Sequence, residues 1–361
     1  MSTHASTALA DVTVTRWYDG LLESGLVPDV LIRAGIRRIC ASRLEEQHLG
    51  GISAQHRRFE AFVEQCSSGP IAVHTDAANA QHYEVPADFF TLALGPHMKY
   101  SSGLWTPDIT NLEQAERAML ELTCARAALV DGQQVLELGC GWGSLTLFMA
   151  ERFPHSIITA VSNSSSQKAF IEATARARGL SNVTVITADI RQFDWPAASV
   201  DRVVSVEMFE HLRNHRTLFT RIARWLRADG SLFVHIFAHR QFAYPYDVQD
   251  SSDWMAQYFF TGGIMPSVGF LPRMQQSLLL ERQWVEDGTH YARTADAWLA
   301  NLDARRAEVD VVLARIYGQA NVVRWRERWR IFFMACAELF RYHDGQEWVV
   351  AHYRFQQRDQ S

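Results

Sequence analysis

The chain has 361 residues, 48% of them hydrophobic and 21% charged, with a formal net charge of −5. That length suits a core domain with added segments, and the composition is that of a globular protein rather than a disordered, fibrous or membrane-spanning one. Acidic and basic residues are interspersed, so no basic stripe marks a nucleic-acid footprint, and no uncharged apolar run is long enough to span a bilayer.

At the N-terminus, Met1 to Gly20 lacks the basic stretch and apolar run of a secretory signal. The five cysteines, Cys40, Cys66, Cys124, Cys140 and Cys336, are odd in number, scattered, and form no CxxC pair. Together these features lead to the expectation of a reduced, cytoplasmic protein without a disulfide framework or structural zinc. From Arg16 to Cys66 the chain is charged and periodic: Leu21, Leu22 and Leu26, then Val30, Leu31, Ala34 and Ile39, recur at helical spacing. Ile71 to Tyr100 is irregular, with Gly95-Pro96 marking a loop.

From about Leu112 to Phe237, short β-branched runs alternate with helical stretches. The expected strands are Val135–Gly139, Ile157–Ser162, Val183–Asp189, Val203–Glu207 and Leu232–Phe237. The expected helices are Ser144–Phe153, Ser166–Arg178 and Arg216–Leu226. This alternation implies an α/β, doubly wound, mostly parallel sheet with ligands at the carboxyl ends of its strands. Beyond Ala238, Asp253–Phe260, Ala295–Arg315 and Val322–Arg341 read as helices, and Ser277–Glu286 and Trp348–Phe355 as strands. The two late strands complete the sheet in this reading. Residues 1–110 are then an N-terminal helical segment, either a lid or a homodimer contact, and residues 111–361 the main domain, with substrate-covering helices at about 240–345.

The strongest motif is Val135-Leu136-Glu137-Leu138-Gly139-Cys140-Gly141-Trp142-Gly143. A buried strand runs into glycines at every second position and then into a helix, so a ligand can approach the backbone without meeting a Cβ. A dinucleotide fingerprint would place its third glycine one position later. The pattern E/DxGxGxG resembles instead the first motif of Rossmann-like methyltransferases that use S-adenosylmethionine. That resemblance assigns Gly139, Gly141 and Gly143 to the cofactor. Asp189, followed by Ile190, takes the adenine-contacting place. No acidic residue follows the second strand, so Ser162, Asn163 and Gln167 are left to bind the ribose, some of the serines there being helix caps.

Further motifs narrow the resemblance: His82-Tyr83-Glu84, Tyr100-Ser101-Ser102-Gly103-Leu104-Trp105, Phe209-Glu210-His211 and His290-Tyr291-Ala292-Arg293-Thr294. With Gly262-Gly263-Ile264-Met265-Pro266-Ser267 and Gly345-Gln346-Glu347-Trp348, they resemble the cyclopropane-fatty-acid synthase and mycolic acid methyltransferase superfamily. Within it the chain is similar to its coclaurine N-methyltransferase branch, over nearly its whole length. The resemblance implies transfer of a methyl group to the nitrogen of a small aromatic or cyclic amine. It also implies Tyr100, Ser101 and Ser102 against the cofactor, and Tyr83, Tyr291, Trp329 and Phe332 around the substrate. An aromatic stripe such as Trp329, Phe332 and Phe333 reads equally well as core.

The chemistry asks for a lone pair in line with the departing sulfur, and an amine protonated at neutral pH has none to offer. Glu207, Glu210 and His211 follow the fourth strand at its carboxyl edge, and in a helical turn they share one face. They match the Glu-x-x-Glu-His of the alkaloid N-methyltransferases. Glu210 and His211 are assigned as proton acceptor and orienter, and Glu207 as the group that binds the substrate cation. The alternative is a lipid methyltransferase using bicarbonate as base. That branch carries a cysteine where Ser102 stands, but residues matching Glu210, His235 and Tyr291 remain. His235 and His239 also read as satisfied core histidines, and nothing has metal-ligand spacing.

Overall fold

The β-branched runs pair as their alternation requires. Strands β1 (Gln134–Leu138), β2 (Ile157–Ser162), β3 (Val183–Thr187), β4 (Val200–Val206) and β5 (Leu226–His239) form the parallel part of one sheet. The computed structural model describes residues 19–72, 85–246, 258–259 and 262–358. A two-stranded ribbon, β6 (Tyr244–Pro245) and β7 (Ile264–Met265), leads to β8 (Leu278–Glu286) and β9 (Trp348–Gln357). Both late strands join the sheet antiparallel to their neighbours, giving the order β3-β2-β1-β4-β5-β9-β8. The reversal of strand order beside β1 opens a crevice above the carboxyl ends of β1 and β4, where a doubly wound sheet binds its ligand.

Before the sheet come α1 (Asp19–Leu22), α2 (Asp29–His48), α3 (Gly51–Gln65), α4 (Ala87–Ala93) and α5 (Leu112–Arg126). The crossovers carry α6 (Ser144–Arg152), α7 (Ser165–Ala177) and α8 (His215–Trp225), each within a residue or so of its expected bounds. Asn111, Ser164 and Asn214 cap α5, α7 and α8 by accepting a backbone N–H, which fixes where each helix begins. After β7 come α9 (Phe270–Met274), α10 (Thr289–Ala304), α11 (Arg306–Tyr317) and α12 (Val322–Gly345).

The expected helix Ala295–Arg315 is two helices. Arg305 breaks it, and its guanidinium bonds the carbonyls of Thr91 and Leu92 near the end of α4. Regular geometry in α12 stops at Arg341, because Tyr342 turns extended and His343 and Asp344 are left-handed. The expected helix Asp253–Phe260 lies outside the described residues except at Tyr258 and Phe259.

One correction concerns α2. The helix is present, but the apolar residues whose spacing announced the segment, Leu26, Val30, Leu31 and Ile39, are exposed, while Ile32, Cys40 and Leu44 are buried. Docking is decided by charge as well as by burial. Arg33 and Arg37 each reach the buried Glu338 of α12 at 2.8 Å, and Arg33 also reaches Asp296 of α10 at 2.8 Å. An aromatic core of Phe89, Phe90, Trp298, Trp329 and Phe333 ties α4, α10 and α12 together above the crevice. Among the described residues, no helix is long and apolar enough to cross a membrane.

Candidate active site

The first wall of the crevice is the turn between β1 and α6. Gly139, Gly141 and Gly143 all have left-handed φ, at 76°, 51° and 80°. They differ in what stands beside them. A Cβ on Gly139 would come within 2.5 Å of the Met208 side chain, and one on Gly143 within 2.6 Å of Ile171, whereas one on Gly141 meets nothing within 4 Å among the described residues. Gly141 therefore faces open space. Gly143 is the helix-starting residue packed against α7 and does not line the cavity. Below the turn, the buried Glu137 accepts a hydrogen bond from Thr146 Oγ1, and burial pushes its carboxyl up to about 8.

This open space belongs to a cavity of about 500 Å³. Its polar side holds Ser162, Asn163 and Gln167, with the Ser162 hydroxyl donating to Gln167 Oε1 at 2.6 Å. Ser164 is the cap, accepting the Gln167 N–H at 3.3 Å. Asp189 and Ile190 form the far wall, where hydrogen bonds from Arg191 hold the Asp189 carboxyl below its usual range. Tyr100 and Ser101 close the top, and Lys99 beside them donates to Ser101 Oγ. Lys99 was not singled out from the sequence. Its signal was a lone lysine between Met98 and Tyr100, and burial lowers its ammonium to about 8 against the attraction of Glu207 and Glu116.

Ser102 needs a correction. It does not line the cavity: its N–H points to Glu207 Oε1 at 3.4 Å and its hydroxyl donates to the Gly103 carbonyl. The opposite wall joins Glu207, Glu210, His211, Tyr291, Phe332 and Cys336. Glu207 follows β4 with φ 47°, a left-handed value that costs a non-glycine residue about 1–2 kcal/mol and persists only where its surroundings hold it. Tyr291 donates to its Oε2 at 2.6 Å and His235 Nε2 lies 3.2 Å from its Oε1. Burial raises the Glu207 carboxyl to about 7, opposed by Lys99, Tyr291 and Ser102.

Glu210 lies on the 3₁₀ turn Phe209–His211 and is fully buried, and no side chain among the described residues hydrogen-bonds its carboxylate oxygens. Burial, and then the charge of Glu207, pushes it well above the carboxylate range, opposed by the backbone N–H groups of Glu210 and Phe237.

Of the aromatic stripe, Phe332 reaches the cavity and Trp329 does not. Trp329 is completely enclosed by Phe89, Phe90, Phe259 and Phe333 and belongs to the core. Tyr83 lies outside the described residues.

A polar crevice that offers backbone, hydroxyl and amide groups but no pyrophosphate cradle, beside buried carboxylates, is the site of a Rossmann-like methyltransferase dependent on S-adenosylmethionine. Comparison with known proteins makes that class particular. Residues 73–349 match the family model described as mycolic acid cyclopropane synthetase, and the chain belongs to that family. It is similar to (S)-coclaurine N-methyltransferase of Thalictrum flavum subsp. glaucum, 38% identical over 93% of this chain and 94% of that one. The corresponding enzyme of Papaver somniferum is 34% identical over 93% of this chain and 97% of its own. A crystal structure of coclaurine N-methyltransferase bound to N-methylheliamine and SAH superposes with a TM-score of 0.90 at 35% identity. It covers 94% of this chain and 98% of that one.

Proposed function

We propose that the chain transfers the methyl group of S-adenosylmethionine to the nitrogen of a small aromatic or cyclic amine. The cofactor fits the residues present: Gly141 leaves room where a Cβ would stand, and the adjoining wall is polar. Tyr100, Ser101, Gly139, Gly141, Ser162, Asn163, Gln167, Asp189 and Ile190 would hold it, and it supplies an electrophilic methyl to in-line attack. Glu207 attracts the protonated amine to the apolar side of the cavity, where Tyr291 and Phe332 exclude water. Glu210 in its ionised form and His211 take the ammonium proton and so free the lone pair, and the burial that raises the Glu210 carboxyl makes its ionised form a strong base.

The observation that carries this reading is Glu207. Its carboxylate occupies the bonds of Ser102 N–H, His235 and Tyr291. Two of these side chains, and the position of Ser102, are those that the lipid branch uses for bicarbonate. An internal carboxylate in that place removes the need for the ion and, when ionised, presents a negative charge to a cation. The test is methyl transfer to a panel of secondary and tertiary amines and unsaturated phospholipids, with and without bicarbonate, read by mass spectrometry. An amine product that is indifferent to bicarbonate and falls at least about 100-fold in Glu210→Ala is expected. A bicarbonate-dependent added carbon on an acyl chain would refute it.

Two organisational readings accompany this one. Residues 1–110 act as a lid, supported by Phe90 and the 98–101 stretch on the cavity wall. The exposed Val30, Leu31 and Ile39 of α2 support a homodimer contact, checked by sedimentation, and the odd, scattered set of five cysteines suits the cytoplasm.

A further inference from the structure

Behind Glu207 a line of side chains crosses the sheet away from the cavity. β4, β5, β9 and β8 lie side by side, and their register aligns Val206 with His235, His235 with His352, and His352 with Trp284. His235 Nδ1 and His352 Nε2 stand 2.8 Å apart, although the residues are 117 positions apart in sequence. His352 Nδ1 lies 2.8 Å from Arg126 Nη1, at the last residue of α5. The same guanidinium pairs with Glu286 at 2.5 Å and lies over the Trp284 ring, 5.0 Å from its centroid. Both histidines are completely buried.

The chemistry of the end group sets the direction of the whole chain. A guanidinium only donates, so His352 Nδ1 must be the acceptor and carry no proton. A neutral His352 then has its proton on Nε2 and donates to His235 Nδ1. His235 in turn carries its own proton on Nε2 and points it at Glu207 Oε1. A second proton on either ring would set two N–H groups against each other. Burial and the neighbouring cations Lys99 and Arg126 also press both rings well below the usual imidazole range, which agrees with neutral tautomers.

We infer that Arg126, His352 and His235 form a one-directional hydrogen-bond relay that holds Glu207 as an acceptor and favours its ionised form. Arg126 and His352 are positioning residues: neither lines the cavity, and they act through His235. The inference rests on the reading of Glu207 as the group that meets the substrate ammonium. The groups that face Glu207 are Lys99 and Tyr100 from the loop before α5, Glu210 from the 3₁₀ turn, His235 from β5, Tyr291 from α10 and Cys336 from α12. Of the residues that bond its carboxylate, the Ser102 N–H only donates, the Tyr291 hydroxyl can also accept, and His235 is the one whose direction the relay sets. If the Arg126 N–H is removed, His352 can move its proton to Nδ1. His235 then reverses, and its Nε2 lone pair faces Glu207. That arrangement favours the protonated carboxyl.

The test compares Arg126→Met and His352→Leu with the conservative Arg126→Lys and His352→Gln. The lysine still donates, and the glutamine amide accepts from Arg126 and donates to His235. In Arg126→Met and His352→Leu the acid limb of the kcat/KM profile is expected to move up by about one pH unit. That is about a tenfold loss below the limb, regained above it. Arg126→Lys and His352→Gln are expected to keep the limb near its original place, and melting curves and SAH binding identify the variants that fold. Nitrogen-15 NMR of histidine-labelled protein reads the tautomers without turnover, with the proton on Nε2 of both rings expected in the wild type. An unmoved limb in a folded Arg126→Met or His352→Leu, or a proton on Nδ1 of either ring, would overturn the relay. If the wild type methylates no amine, the functional reading fails while the tautomer measurement still decides the relay.

Discussion

Replacing Gly141 with alanine separates a glycine that serves a ligand from one that serves packing. At φ 51° an alanine carries strain of about 1–2 kcal/mol, but its Cβ meets no atom of the described residues within 4 Å. Gly143→Ala carries the same left-handed strain at φ 80° and adds a contact of 2.6 Å with Ile171, itself fully buried. Overpacking of that kind costs about 1–3 kcal/mol more. At about 2 °C per kcal/mol for a chain of this size, Gly141→Ala should lower Tm by about 2–4 °C and Gly143→Ala by about 4–10 °C. Binding should rank the other way, because only the Gly141 Cβ enters the cavity: SAH affinity falls at least about tenfold in Gly141→Ala and less in Gly143→Ala. Differential scanning fluorimetry and isothermal titration with SAH measure both. Equal SAH affinity for Gly141→Ala and wild type, or equal melting temperatures for the two variants, would refute the reasoning.

Two further outcomes follow from burial. Trp329→Ala should destabilise by about 3–5 kcal/mol, as for other fully buried aromatics, with KM for the amine changing little in whatever folded fraction remains; a large KM change without loss of Tm would return Trp329 to the pocket wall. The Glu137 carboxyl is raised from 4.5 to about 8, so the native state holds a proton that the unfolded chain has released across that window. Its contribution to stability is therefore present below about pH 4.5 and lost as pH rises through about 8. Relative to Glu137→Gln, the wild type without cofactor should lose Tm between pH 5 and 8, and parallel Tm–pH curves would contradict this.

Local pattern carried much of the architecture. The five β-branched runs, the glycines at alternate positions and the Glu207-x-x-Glu210-His211 spacing are short-range features, and each maps onto an element or wall of the crevice with little displacement. The resemblance of the Tyr100 motif likewise brought Tyr100 and Ser101 to the cavity. The α2 segment shows the limit of periodicity. Apolar spacing announced a helix, but which face is buried depended on where Asp296 of α10 and Glu338 of α12 stand.

What the sequence by itself determined was therefore the class: strand and helix periods, the glycine turn and the acid cluster are set by residues a few positions apart. The tertiary structure alone decided which of those groups meet. Ser102 turned from the cofactor to Glu207, Trp329 withdrew into the core while Phe332 reached the cavity, and Lys99 came in beside Ser101. His352, a polar break between Ala351 and Tyr353 in an otherwise buried strand, acquired its meaning only when β9 inserted beside β5 and set it against His235. Sheet register brings together residues more than a hundred positions apart, and one strand's own sequence does not state which partner it will have.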